Sequence, residues 1–143
     1  MTRINSAIPV KHLADEHLIA ECREILRIPW YLHKAIKSGS IKKIPSKFTL
    51  GQGHVLFFLD KVKFCKERYK DIIEEASNRG IQVRDLSKVF DDIPEEYFND
   101  YVPTSEENIL LIERISERIK NSKKQQWHYY KNSITPLEAI SLL

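Results

Sequence analysis

Apolar residues recur along this chain at the spacing of a helix, and in one stretch they leave little freedom. Val55, Phe58, Val62, Cys65, Tyr69, Ile72, Ile73 and Ala76 fall on one stripe, with Lys61, Lys63, Lys66, Glu67 and Lys70 mostly off it. A repeat of about 3.6 residues turns the first set toward a core and the second toward water. Gly80 stands where a left-handed C-terminal cap belongs. An earlier stripe, Val10, Ala14, Leu18, Cys22 and Ile25, begins near Pro9, and Pro29 is predicted to stop it. A later one opens with a capping-box pattern, Thr104 and Glu107, followed by Ile109, Ile112, Ile115 and Ile119. Gly39, Pro45, Gly51, Pro94 and Pro103 punctuate the connections. No stretch alternates long enough for a strand. The prediction is an all-α fold, three main helices with long loops and no sheet, forming one domain over residues 1–143.

The apolar content of 42% suffices for a core, and no apolar run approaches the roughly 20 residues of a membrane span. The N-terminus lacks the apolar region of a secretory signal, and Asp15 and Glu16 come early. Cys22 and Cys65 fall at apolar helical positions and read as reduced core thiols of a cytoplasmic protein. No Cys or His spacing fits a metal site, so neither metal nor cofactor is expected.

Net charge is +3, unevenly spread. Residues 25–59 hold no acid but carry Arg27, Lys34, Lys37, Lys42, Lys43 and Lys47. Residues 118–137 are also acid-free, with Arg118, Lys120, Lys123, Lys124 and Lys131. Acids concentrate between them, from Asp91 to Glu107. A basic face for a polyanion and two ordinary solvated segments both fit this pattern.

Removal of Met1 would leave Thr2 with a free amine, next to Arg3. An α-amine titrates at about 7.7–8.0, against about 10.4 for lysine, so part of it is a neutral nucleophile at cellular pH. On the first helix Glu16, Arg23 and Arg27 project away from the apolar stripe, while Glu24 sits at its border on the flank of His17 and Glu21. A carboxylate so placed, with arginines beside it, can stabilise a sugar cation or move a proton; on the residues alone a solvated Arg–Glu pair is the stronger reading. Gly51-Gln52-Gly53-His54 lacks the lysine of a phosphate loop and reads as a tight turn into a helix. Near the C-terminus, Lys123 and Lys124 precede Trp127, Tyr129 and Tyr130. These rings fit base stacking, or a clasp that packs the tail onto the core.

Taken together, the blocks Met1-Thr2-Arg3-Ile4-Asn5, His12 to Leu18, Ala20-Glu21-Cys22-Arg23-Glu24, Leu50-Gly51-Gln52-Gly53-His54-Val55, Phe57 to Lys61, Arg79-Gly80, Asp92-Ile93-Pro94, Asp100-Tyr101-Val102-Pro103, Trp127 and Tyr129-Tyr130 resemble the bacteriophage pyrimidine-dimer DNA glycosylase/AP lyase family. The resemblance covers nearly the whole chain. It implies that the Thr2 α-amine attacks C1′ of the damaged nucleotide, releases the base, forms an imine and nicks the strand by β-elimination. It further implies that Glu24 is the essential carboxylate, that Arg3, Arg23 and Arg27 bind phosphates, and that His17 supports the pocket. No metal or cofactor is implied. The partner is double-stranded DNA carrying pyrimidine dimers or abasic sites, bound by a monomer in the cytoplasm, near the nucleoid or in a viral host cell.

The chain departs from the family pattern in several places. Glu16 replaces a glutamine near the DNA, where a carboxylate facing phosphates would weaken binding or change lesion contacts. Cys22 replaces an aromatic. The proline of Ile25-Leu26-Arg27-Ile28-Pro29 is displaced, the 38–47 loop differs in length, and 134–143 is an added tail. Action on other damaged bases, on abasic sites alone, or DNA binding without catalysis are the alternatives these changes leave.

Overall fold

The computed structural model describes residues 4–143. A 3-10 turn at Val10–His12 leads into α1 (Asp15–Glu24), and α2 (Arg27–Ser38) follows after Ile25 and Leu26. Next come a short α3 (Gly53–Phe57) and the long α4 (Val62–Asn78). Beyond a loop with two 3-10 turns lie α5 (Ser105–Asn121), strands β1 (Trp127–Tyr129) and β2 (Asn132–Ile134), and α6 (Pro136–Ser141). The fold is all-α, as expected, apart from this one antiparallel ribbon.

The core forms where α1 crosses α4, and Leu18, Cys22 and Ile25 meet Val62, Cys65, Tyr69, Ile72 and Ala76 in one buried cluster. Both thiols are free and buried, and burial pushes both up from the ordinary thiol value. Gly80, at φ 73°, ends α4: the Ile81 amide reaches back to the Ala76 carbonyl at 2.8 Å, the closure expected of a left-handed cap.

The helices differ from the sequence expectation in three ways. Pro29 does not end the first helix. It lies in the first turn of α2, where a proline ring is tolerated. The interruption falls upstream: the Ile25 carbonyl has no amide at position 29 to accept from and pairs with Ile28 instead, at 3.2 Å. Ile25 and Leu26 keep helical angles, so α2 continues α1 with a break. The second helix is also split, between Phe57 and Val62. The break lets Phe57 and Phe58 pack edge-to-face with Phe48 and Tyr101. In α5, Thr104 caps as predicted by accepting from the Glu107 amide, but Leu111 rather than Ile109 faces the core.

The expectation of no sheet fails at the ribbon. Its turn residues, Tyr130 and Lys131, both have positive φ, 51° and 67°. Such a turn normally uses Asn or Gly, so nothing in the local sequence announces it. The compensation comes from α1. One carboxylate, Asp15, accepts from the Tyr130 amide at 3.1 Å and the Lys131 amide at 2.8 Å.

Candidate active site and DNA interface

The inward face of α1 fixes the N-terminal segment. Glu21, fully buried, takes a two-pronged ion pair from Arg68 of α4, at 2.6 and 3.0 Å. It also accepts from the Asn5 side chain at 2.8 Å, while Arg68 donates to the Ile8 carbonyl at 2.7 Å. His54, buried at the start of α3, accepts the Ile4 amide on Nε2 at 2.8 Å. Its Nδ1 lies 2.9 Å from the Thr49 carbonyl and must carry the proton, so this neutral tautomer alone satisfies both contacts. The turn before His54 is tight: a side chain at Gly53 would meet the Thr49 methyl at 2.7 Å. The Gly51–His54 segment is therefore a turn that inserts a histidine, as the residues suggested. From the α5 side, Asn108 donates to the Ala7 carbonyl at 2.8 Å and Ser6 points at Glu107, whose carboxyl burial pushes up. Residues 4–8 are thus held by α1, α3, α4 and α5. Thr2 and Arg3, which precede them, lie outside the described residues.

The outward edge of α1 is different in kind. Glu24, half-buried, closes the helix, with exposed Arg23 before it and exposed Arg27 just past the break. Buried Ile25 and Leu26 anchor the edge from below. Two turns earlier on the same flank, the His17 ring stacks on Trp127, with centroids 5.1 Å apart and 22° between planes. Trp127 is buried, and its indole N–H has no hydrogen-bond partner among the described residues.

The C-terminal ribbon clasps the other end of α1. Arg79, buried, bonds Asp15 at 2.9 Å and Glu75 at 2.8 Å, and Tyr129 and Tyr130 lie over its guanidinium. The Tyr129 hydroxyl donates to the Lys11 carbonyl and the Tyr130 hydroxyl to Glu75. Glu16 accepts the His128 amide at 3.0 Å and faces its ring nitrogen at 2.7 Å, with Lys124 at 3.5 Å. Partial burial would raise the Glu16 carboxyl. The His128 hydrogen bonds and the Lys124 charge outweigh it and hold the group below the ordinary carboxylate value.

The structure therefore brings His17, Arg23, Glu24 and Arg27 onto one continuous edge. It sends Glu16, Tyr129 and Tyr130 to the clasp, each with an intramolecular partner. Lys123 and Lys124 remain exposed beside it. Sequence reasoning did not assign the roles of Asp15, Arg68 and Arg79. A signal existed for one pair: Glu21 and Arg68 are opposite charges beside the apolar stripes of two helices.

This architecture is that of a helical protein presenting a half-buried carboxylate flanked by two exposed arginines, an arrangement suited to a phosphodiester substrate. A family model for pyrimidine dimer DNA glycosylases matches residues 1–89, more than half of the 143-residue chain. The chain belongs to the pyrimidine dimer DNA glycosylase family. It is thereby a DNA repair glycosylase whose substrate is DNA carrying pyrimidine dimers. The matched span contains Thr2, Arg3, His17, Arg23, Glu24, Arg27 and the His54 anchor, and ends before the ribbon.

Proposed function

We propose that this glycosylase is bifunctional and nicks the strand it has cleared of the damaged base. The neutral α-amine of Thr2, exposed by removal of Met1, adds to C1′ of the damaged nucleotide. The C1′–N bond breaks and its electron pair leaves with the base. Cleavage of C1′–O4′, with a proton passing to O4′, gives an imine. Loss of a C2′ proton then expels the 3′ phosphate. Glu24 stabilises the cationic sugar and carries the proton. Arg3, Arg23 and Arg27 bind the phosphates, and His17 supports the pocket through its stack on Trp127.

The observation that carries this reading is the placement of Glu24, half-buried between two exposed arginines in the family-matched span. The His54–Ile4 bond supports it, because the backbone two residues beyond the proposed nucleophile is fixed by a buried group. The partner is duplex DNA with pyrimidine dimers or abasic sites, engaged by one chain acting as a single domain. The test is borohydride reduction during turnover on duplexes with a dimer or an abasic site. A covalent protein–DNA adduct and a nicked strand are expected on both. Base release without adduct or nick would reduce the activity to a simple glycosylase.

A further inference from the structure

The outward face of α2 has no task in the chemistry above, and its composition is unusual. Trp30 is 48% exposed and takes no part in the core cluster or the partly buried shell around it. Arg27, Lys34 and Lys37 are also exposed and share its side of the helix, at steps of three and four residues. The opposite side carries buried Ile28, Leu32 and Ala35. Among the described residues, Lys34 and Lys37 have no carboxylate within ion-pair distance. A single exposed apolar side chain is ordinary on a protein surface. An indole set among cations, on a helix that holds no acid, is not ordinary. A second copy of this face would meet it with like charge, whereas a polyanion with planar rings complements both features. One edge of the face is marked by His33, bonded to the Val89 carbonyl at 3.0 Å. Exposed Asp91 and Asp92 follow Val89 and would repel phosphates there. The favourable path lies toward Arg27, which borders Glu24.

We propose that this face of α2 is a second DNA contact, in which Trp30 stacks on a base unstacked at the lesion while Lys34 and Lys37 hold flanking phosphates. The inference rests on the DNA-repair reading and adds a lesion-sensing residue to it. A stack reads the local opening of the duplex, since a paired and stacked base offers no free ring face. The lysines read only the backbone. Trp30 therefore contributes to discrimination between damaged and intact DNA, and the lysines to affinity for both.

The chain contains two tryptophans, and Trp127 is only 6% exposed, so Trp30 dominates the solvent-sensitive emission. The experiment titrates the intact protein with an undamaged duplex and with one holding a non-cleavable tetrahydrofuran abasic analogue. Tryptophan emission and affinity are read together. Quenching with the analogue duplex is expected in the wild type and is expected to be lost in Trp30→Phe. Trp30→Ala should weaken binding of the analogue duplex about tenfold, the usual scale for one base–aromatic stack. It should leave the undamaged duplex nearly unaffected, and Trp30→Phe should restore most of the loss. Lys34→Ala should weaken both duplexes and lower the salt slope by about one. Trp30→Ala binding within twofold of wild type, with emission indifferent to DNA, would overturn the proposal. So would equal losses on both duplexes. Borohydride trapping on an authentic abasic duplex is run in parallel. An adduct with an inert Trp30 sinks this inference alone, whereas no adduct and no lesion preference sink the repair mechanism as well.

Discussion

α1 carries carboxylates of two kinds, and in the proposed mechanism the contrast separates what builds this protein from what it does. Asp15 and Glu21 are buried and answered by the guanidinium groups of Arg79 and Arg68. Each also collects backbone or amide donors, Asp15 from the ribbon turn and Glu21 from Asn5. Glu24 lies on the same helix, half-buried, where exposed arginines flank it in sequence. The first two organise the chain around α1, one holding the N-terminal segment and the other the C-terminal ribbon. The third lies on the outward edge of the helix, the side that the proposed mechanism gives to DNA. Residue type does not distinguish them; burial does.

The contrast breaks if the edge proves structural or the buried pairs prove dispensable. The largest effect is expected at Glu24. Glu24→Gln should slow strand nicking by about 10²–10⁴-fold, the usual scale of a positioned acid–base group, with unfolding by urea essentially unchanged. A normal nicking rate, or a large loss of stability, would place Glu24 with the structural carboxylates.

Arg79→Ala should do the opposite. Removing one partner of a buried pair typically costs about 3–5 kcal/mol. Here it strands Asp15 and Glu75 and frees the ribbon, so the urea midpoint should fall steeply. Nicking per folded molecule, measured at low temperature, should change far less than in Glu24→Gln.

His54→Phe probes the bridge between the two regions. A somewhat larger ring still fills the site, but the Ile4 amide loses its acceptor and the Thr49 carbonyl its donor, each loss worth about 1–3 kcal/mol for a buried group. If that bond positions the N-terminus, nicking should fall by up to about 10²-fold through misplacement, with KM for the abasic duplex nearly unchanged. A fall in stability without a fall in kcat would leave His54 a purely structural residue.

The smallest effect concerns Glu16. Its carboxyl is depressed in the folded state, so its stabilisation is present above the unfolded value of 4.5 and lost as pH falls through the lower folded value. Glu16→Gln should therefore flatten the acid limb of a stability–pH curve below about pH 4.5. The difference at neutral pH should be no more than about 1 kcal/mol, because the pair is partly open to solvent. An unchanged acid limb would mean that His128 and Lys124 do not hold the clasp through this group.

How far the sequence disclosed these regions follows from the reach of each interaction. The helix faces were legible because a 3.6-residue repeat is local, and Thr104 and Gly80 marked ends where they occur. The breaks were not. At Pro29 the periodicity runs on, while the lost hydrogen bond appears four residues upstream at Ile25. The ribbon was invisible because its turn is stabilised by Asp15, 115 and 116 residues away in sequence. The edge residues Arg23, Glu24 and Arg27 were legible through one helix. A clasp by Tyr129 and Tyr130 was one of two readings the residues allowed, but its target on α1 and the destination of Glu16 were not legible, since α1 and the ribbon meet only in three dimensions. The Glu21–Arg68 pair was half-legible, as two opposite charges on apolar stripes with no sign that the stripes touch.

The central claim is that the backbone amine of residue 2, not a side chain, makes the bond to the sugar. Peptide mass mapping of the borohydride-trapped adduct tests it directly. The account predicts the sugar on the α-amine of Thr2, with Met1 absent, and an equally active Thr2→Ser. An adduct on a lysine, or turnover by protein whose N-terminus is fully blocked, would contradict it.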